Sequence, residues 1–209
     1  MPKEKLKLHN LEQYLLLKNG NYLYKVPFRH GFAVLKVYYG TRSTLRYVTG
    51  TISNYFQGQT SFMPQARLAN EKRCLDIWRD AGFRVFKTYD DVEVSGLPEG
   101  GYLLFEYLPA LKFKDYFGDA SVPLDDRMAT YRRFLKEWYR RHEIAVTRRE
   151  PGLVHENGDM KHVMIIDDGF LYFDFEMSFR SRRKTRVKEF VSREILAYLK
   201  SLRRIVGKD

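Results

Sequence analysis

The stretch Gly158–Glu176 reads GDMKHVMIIDDGFLYFDFE. Asp159 and Asp174 lie 15 residues apart in it, each beside an apolar strand-like segment, with DDG between the segments. A DDG flanked by apolar runs predicts a β-hairpin. Taken alone, the segment reads equally as an ordinary turn whose flanking aspartates cap strands and as a frame that carries two carboxylates for one purpose. The order of the residues before it separates the two.

Outward from that hairpin, the chain has 209 residues, 44% of them apolar, enough to bury a core as one domain or two small lobes. Its longest apolar runs, such as VMII and YLLF, fall far below the roughly 20 residues of a membrane span. The opening MPKEKLKLHN lacks the apolar stretch of a signal peptide, so the expected location is the cytoplasm or a membrane surface. The single cysteine, Cys74, leaves no internal disulfide or cysteine-based metal cluster and reads as buried filler. A net charge of +11 points to a polyanionic partner: a nucleotide, nucleic acid, phosphorylated glycan or acidic lipid headgroup.

QYLLLK and YLYKVPF flank NGN, a short-hairpin signal, and His30–Gly31 then turns the chain into FAVLKVYYG, predicting three antiparallel strands. From Thr41 to Pro64 the periodicity weakens into a polar and aromatic stretch. PQARLANEKRCLDIWRDAGF predicts a helix with Leu68, Leu75 and Trp78 on its inner side and Gly82 as terminator. VEVSGLPEGGYLLFEYL predicts two strands around a Gly/Pro turn. Five strands and one helix then make a first lobe, residues 1–107. In the second, residues 108–209, one amphipathic helix carries Tyr131, Phe134, Leu135 and Trp138. Another presents Phe190, Val191, Ile195, Tyr198, Leu199 and Leu202. The predicted class is α+β.

Phosphoryl transfer requires a cation on the nucleotide phosphates, acidic ligands for magnesium and a carboxylate near the acceptor hydroxyl. Candidates occur along the chain in a specific order: Lys36 in the strand FAVLKVYY, Glu71 in the next helix, the segment LLFEYL, then Asp159 and Asp174. Lys36 alone also reads as a solvated residue on an edge strand.

In that order, FAVLKVYY resembles the VAIK strand of protein kinases, and LLFEYL resembles the strand and hinge that join the two kinase lobes. NGDMKHVMI resembles the catalytic loop with its following strand, and LYFDFE the metal-binding DFG segment in a DFE form. From about Tyr14 to Leu202 the chain is similar to the protein-kinase-like superfamily. It resembles the small atypical branch of lipopolysaccharide kinases acting on Kdo or heptose, through the basic, aromatic connection between lysine strand and glutamate helix and through the DFE ending.

The resemblance implies a two-lobed fold with an antiparallel five-stranded N-lobe carrying one helix, and a reduced, mainly helical C-lobe. It implies an ATP- and Mg2+-dependent kinase, cytoplasmic or peripheral at the inner membrane, acting on a sugar of the lipopolysaccharide core. Lys36 would orient the α- and β-phosphates, with Glu71 holding Lys36. Gly20 would stand in a reduced glycine loop, and backbone groups around Glu106, Tyr107 and Leu108 would face the adenine. Asp159 would receive or orient the acceptor hydroxyl proton, and Asp174 would bind metal.

Three departures are visible. The glycine loop is reduced to KNGN; Asn157 replaces the histidine usual two residues before the catalytic aspartate, with His155 displaced upstream; and Met164 occupies the position of the second metal ligand. A thioether is no ligand for a hard ion. His162 substitutes if the loop is two residues shorter; otherwise it is a loop histidine with an ordinary hydrogen bond. After DFEMSF comes RSRRKTRVK, six basic residues in nine positions, readable as a solvated charge run or as a site for an anionic acceptor. Three alternatives stay open: an atypical protein or small-molecule kinase, a catalytically inactive basic binding module that recognises nucleic acid or anionic lipid, and a soluble α+β domain with no nucleotide site; a nucleic-acid or protein partner stays open as well.

Overall fold

The computed structural model of the chain describes residues 3–38, 44–97, 101–167 and 169–206. Part of the expected Gly/Pro turn (98–100), the middle residue of DDG (168) and the start of the polar stretch (41–43) lie outside the described residues. In chain order the elements are β1 (Glu4–Lys7), β2 (Leu15–Asn19), β3 (Asn21–Phe28), β4 (Gly31–Tyr38), α1 (Thr44–Phe56), α2 (Pro64–Asp80), β5 (Arg84–Val85), β6 (Val92–Ser95), β7 (Gly101–Glu106), β8 (Leu111–Lys112), α3 (Phe113–Gly118), α4 (Leu124–Arg148), β9 (Val163–Ile166), β10 (Gly169–Tyr172) and α5 (Lys184–Val206).

Two compact units result. The first comprises 1–57, 61–69 and 86–109, the second 58–60, 70–85 and 110–209, so α2 begins in one and ends in the other. In the first unit β2, β3, β4 and β7 form one antiparallel sheet in that order, while β1 pairs in parallel with β6. Alternating apolar residues along β3 and β4 put one face of this sheet on a core, while Lys36, Tyr38, Leu103 and Phe105 on the other face are also buried. Tyr24, Val26, Ala33, Leu35 and Val37 form its core with Leu104, and Val92 and Val94 of β6 close over them. Among the described residues this unit holds six strands in two sheets, where five antiparallel strands are expected. The stretch read as irregular after Thr41 contains a helix, α1, whose inward side is carried by Tyr47 with Gly50 and Thr51 rather than by an aliphatic stripe.

In the second unit the predicted hairpin forms: β9 and β10 pair antiparallel, with Val163 opposite Tyr172. β8 and β5 extend this small sheet on either side. Trp78 of α2 is fully buried, donates its indole N–H to the Gly152 carbonyl at 2.8 Å, and packs on Tyr172 and Phe175. Phe113, Phe134 and Phe170 form a second aromatic cluster beneath the hairpin. Helix α5 buries Val187, Phe190, Glu194, Tyr198 and Ser201. Its apolar face is thus rotated from the one read in sequence, since Leu199 is exposed.

Candidate phosphoryl-transfer site

In the second unit, Asn70 of α2 donates to the Phe175 carbonyl at 2.8 Å and accepts from the Ser178 hydroxyl at 2.7 Å and from Arg73 at 3.0 Å. These bonds fix the chain that leaves β10 against the helix. The next helical residue, Glu71, is buried, and one carboxylate oxygen from each of Glu71, Asp174 and Glu176 lies within 4.8 Å of the others. Asp174 holds a left-handed backbone, φ 71°, a conformation that aspartate tolerates better than most side chains.

The chain before β9 approaches the same carboxylate. Residues Met160–His162 form a 3-10 turn that ends on His162. His162 Nδ1 lies 3.0 Å from the Asn157 carbonyl and Nε2 lies 3.3 Å from Asp174 Oδ2, so both ring nitrogens face acceptors and the single proton of the neutral ring serves one of them. Burial lowers the imidazole pKa and outweighs the opposing pull of Asp174, so the ring is neutral at pH 7. Met164 lies inside β9, opposite Leu171 and Lys112.

Asp159 caps that turn. Its Oδ1 accepts from the Lys161 N–H at 3.0 Å and from the Ser201 hydroxyl of α5 at 2.8 Å. Burial opposes the charge, but these bonds hold the carboxyl below its usual range. His155, displaced upstream in sequence, reaches the strand end in space. Its Nε2 donates to the Phe173 carbonyl at 2.9 Å, its Nδ1 accepts from the Asn157 N–H at 3.2 Å, and its ring stacks on His162. Burial lowers its pKa to about 4.

Helix α5 braces this loop from below. Glu194 accepts from Arg141, from His142 Nε2 at 3.0 Å and from the His155 N–H at 3.0 Å. A Cβ on Gly158 would lie 2.5 Å from Glu194 Cγ and 2.9 Å from its carbonyl, so only glycine lets the backbone beside Asp159 rest there.

The remaining candidates belong to the first unit. Lys36 is 6% exposed on the central strand β4, between Leu23 and Leu103, which removes the edge-strand reading. Gly20 forms the tip of the β2–β3 hairpin with φ 77°, and Arg67 donates to its carbonyl at 3.4 Å. Glu106 bonds Lys87 through both its N–H and its carboxylate, at 2.9 and 2.8 Å, and the Lys25 ammonium lies 4.1 Å from the Tyr107 ring. Leu108 is partly buried at the end of that segment.

Thus Glu71, Asp174 and His162 are brought together, and Asp159 lines one small cavity with His155 and His162. Sequence reasoning missed Glu176, Asn70, Glu194 and Ser201. Only Glu176 had a signal, as the last letter of DFE.

No protein-family model and no curated protein matches this chain. Among solved structures, WaaP in complex with acyl carrier protein is similar over 91% of this chain and 71% of its own, with a TM-score of 0.52 and 13% identity. An apo pseudokinase covers 86% of this chain and 64% of its own, at a TM-score of 0.44 and 14% identity. At 13% identity the likeness to WaaP concerns architecture alone: the chain has a mixed α+β, protein-kinase-like fold.

Proposed function

We propose that this chain is an ATP- and divalent-metal-dependent phosphotransferase whose acceptor is a hydroxyl on a lipopolysaccharide-core sugar. The carrying observation is that the two ends of the β9–β10 hairpin present different chemistry side by side. Asp159, ionised and hydrogen-bonded, stands at the entry, and the Glu71–Asp174–Glu176 carboxylates stand at the exit with His162 Nε2 turned toward Asp174.

The donor set fits a hard divalent cation, with carboxylate oxygens from Asp174 and Glu176. The imidazole nitrogen of His162 adds tolerance for Mn2+. When bound, such an ion neutralises charge on the transferring phosphoryl oxygens. The residues of the chain do the rest. Lys36 carries the charge for the nucleotide phosphates, with Glu71 as the acid assigned to it by resemblance, and the backbone at Glu106–Leu108 serves the adenine. Asp159 accepts a hydrogen bond from the acceptor hydroxyl and orients the oxygen; its lowered pKa keeps it ionised, so it positions the nucleophile more than it pulls the proton early. Ser201 and Lys161 hold the Asp159 carboxylate in place.

Transfer of labelled γ-phosphate to an inner-core glycan tests the assignment. Asp159→Asn should lower the rate about 100- to 10,000-fold with nucleotide binding retained; equal transfer by both proteins refutes the role. Acceptor comparison with a protein and an aminoglycoside tests the substrate class, and capture on immobilised acyl carrier protein tests whether that partner extends to this chain.

One observation favours a second reading, a non-catalytic binding module: Met164 stands where a metal ligand is expected. That reading predicts no change in the unfolding midpoint at millimolar Mg-ATP, whereas the kinase reading predicts a rise.

A further inference from the structure

The outer side of α1 takes no part in the site described above. Leu45, Val48, Ile52, Tyr55 and Phe56 are 72, 48, 52, 69 and 79% exposed. With 3.6 residues per turn they fall within an arc of about 100° on the helix, one stripe rather than scattered positions. The inner side is pinned. Tyr47 is buried, a Cβ on Gly50 would lie 3.0 Å from the Phe62 ring, and the Thr51 hydroxyl lies 3.3 Å from that of Ser61 and accepts from the Phe62 N–H at 3.2 Å. The helix therefore cannot roll its stripe inward without breaking this packing, and a contiguous apolar patch of this kind marks an interaction surface.

Charge selects what covers it. From Gln13 to Asn70 the chain has seven lysines and arginines and no aspartate or glutamate, within a net charge of +11; of the seven, Lys18 and Arg46 are exposed, whereas Lys36 and Arg67 are buried and Arg29 pairs with Glu4 and Asp91. A second copy would bring the same excess to the contact and be repelled. An anionic bilayer supplies both complements: an acyl boundary for the stripe and phosphates for the exposed Arg46 guanidinium on the same helix. We infer that α1 is a membrane-contact helix, which lays Leu45, Val48, Ile52, Tyr55 and Phe56 into the headgroup boundary of an anionic phospholipid surface. The inference stands whether or not the protein is catalytic.

Flotation of the full chain with phosphatidylglycerol/phosphatidylethanolamine vesicles, against phosphatidylcholine vesicles, tests this. The anionic vesicles should carry the wild type, with a fraction that survives high salt. Ile52→Gln combined with Phe56→Gln leaves net charge unchanged and should lower partitioning about tenfold or more, the loss expected for withdrawing two large apolar side chains. An unchanged unfolding midpoint in that variant assigns the loss to docking. Independently of its stability, Tyr55→Trp in the otherwise native chain should show a blue-shifted emission when anionic vesicles are added. No flotation of the wild type, equal flotation of the double variant, complete release by salt, or no emission shift overturns the inference. So does a wild-type dimer in sedimentation that the double variant abolishes, since the stripe would then be an interface between copies.

Discussion

His155 and His162 stack as two neutral imidazoles, and each earns its neutrality from burial. For His155 the folded pKa is about 4, against 6.5 for the ordinary side chain. The unfolded chain therefore binds the proton first as pH falls, and stability contributed by this residue is lost between pH 6.5 and about 4, amounting to about 3 kcal/mol. His142 and His162, also lowered by burial, act in the same direction. Urea unfolding across that range should show the decline, and His155→Gln should be less stable at neutral pH yet show a shallower slope. His162 has a second test. As a nitrogen ligand it would favour Mn2+ relative to Mg2+, so His162→Asn should lower the ratio of Mn2+- to Mg2+-supported transfer severalfold. An unchanged ratio would reduce His162 to a loop histidine bonded to Asn157.

Helix α5 shows how an element can control residues it does not contain. Glu194 and Ser201 are seven positions apart, two turns on one face, and they meet His155 and Asp159 respectively. Gly158→Ala forces a Cβ into Glu194 and its backbone; the expected cost is about 1–3 kcal/mol, read as a lower urea midpoint. Ser201→Ala should leave the fold nearly intact and move the Asp159 pKa upward, visible as a displaced acid limb in the pH profile of transfer. The strands and long helices could be read in sequence because their burial follows period 2 or 3.6. Glu194 and Ser201 could not, because a carboxylate or hydroxyl on a helix reads as solvated unless its partners, here Arg141 and His142 from α4, are known. The same limit hid α1: a helix that turns Gly50 and Thr51 inward and Leu45 and Ile52 outward inverts the pattern by which helices are recognised. The β9–β10 hairpin was legible from DDG, while the 3-10 turn that brings His162 to Asp174 was not.

At the scale of the molecule, the excess of 37 basic over 26 acidic residues must act on whatever anion the protein meets. Some of the basic residues are paired locally. Arg182 pairs with Glu150 at 2.7 Å, and Arg186 pairs with Glu189 while stacking on Phe190. Arg180, Arg183, Lys184 and Lys188 of the same run are exposed and have no carboxylate partner among the described residues. Exposed charges of this kind attract an anionic acceptor over distances that shrink as salt shortens the screening length from about 10 Å at 0.1 M to about 3 Å at 1 M. If they serve the acceptor, kcat/KM for a phosphorylated glycan should fall severalfold as salt rises, and a neutral sugar should show little dependence. Replacing Arg180, Arg183 and Lys184 with glutamine should raise KM for the phosphorylated acceptor, flatten that salt response and leave kcat unchanged, because the groups steer association and do not touch the transferring phosphoryl. A variant that loses kcat with KM unchanged would instead place the run at the chemistry, and one indistinguishable from wild type at every salt concentration would make it a solvated face.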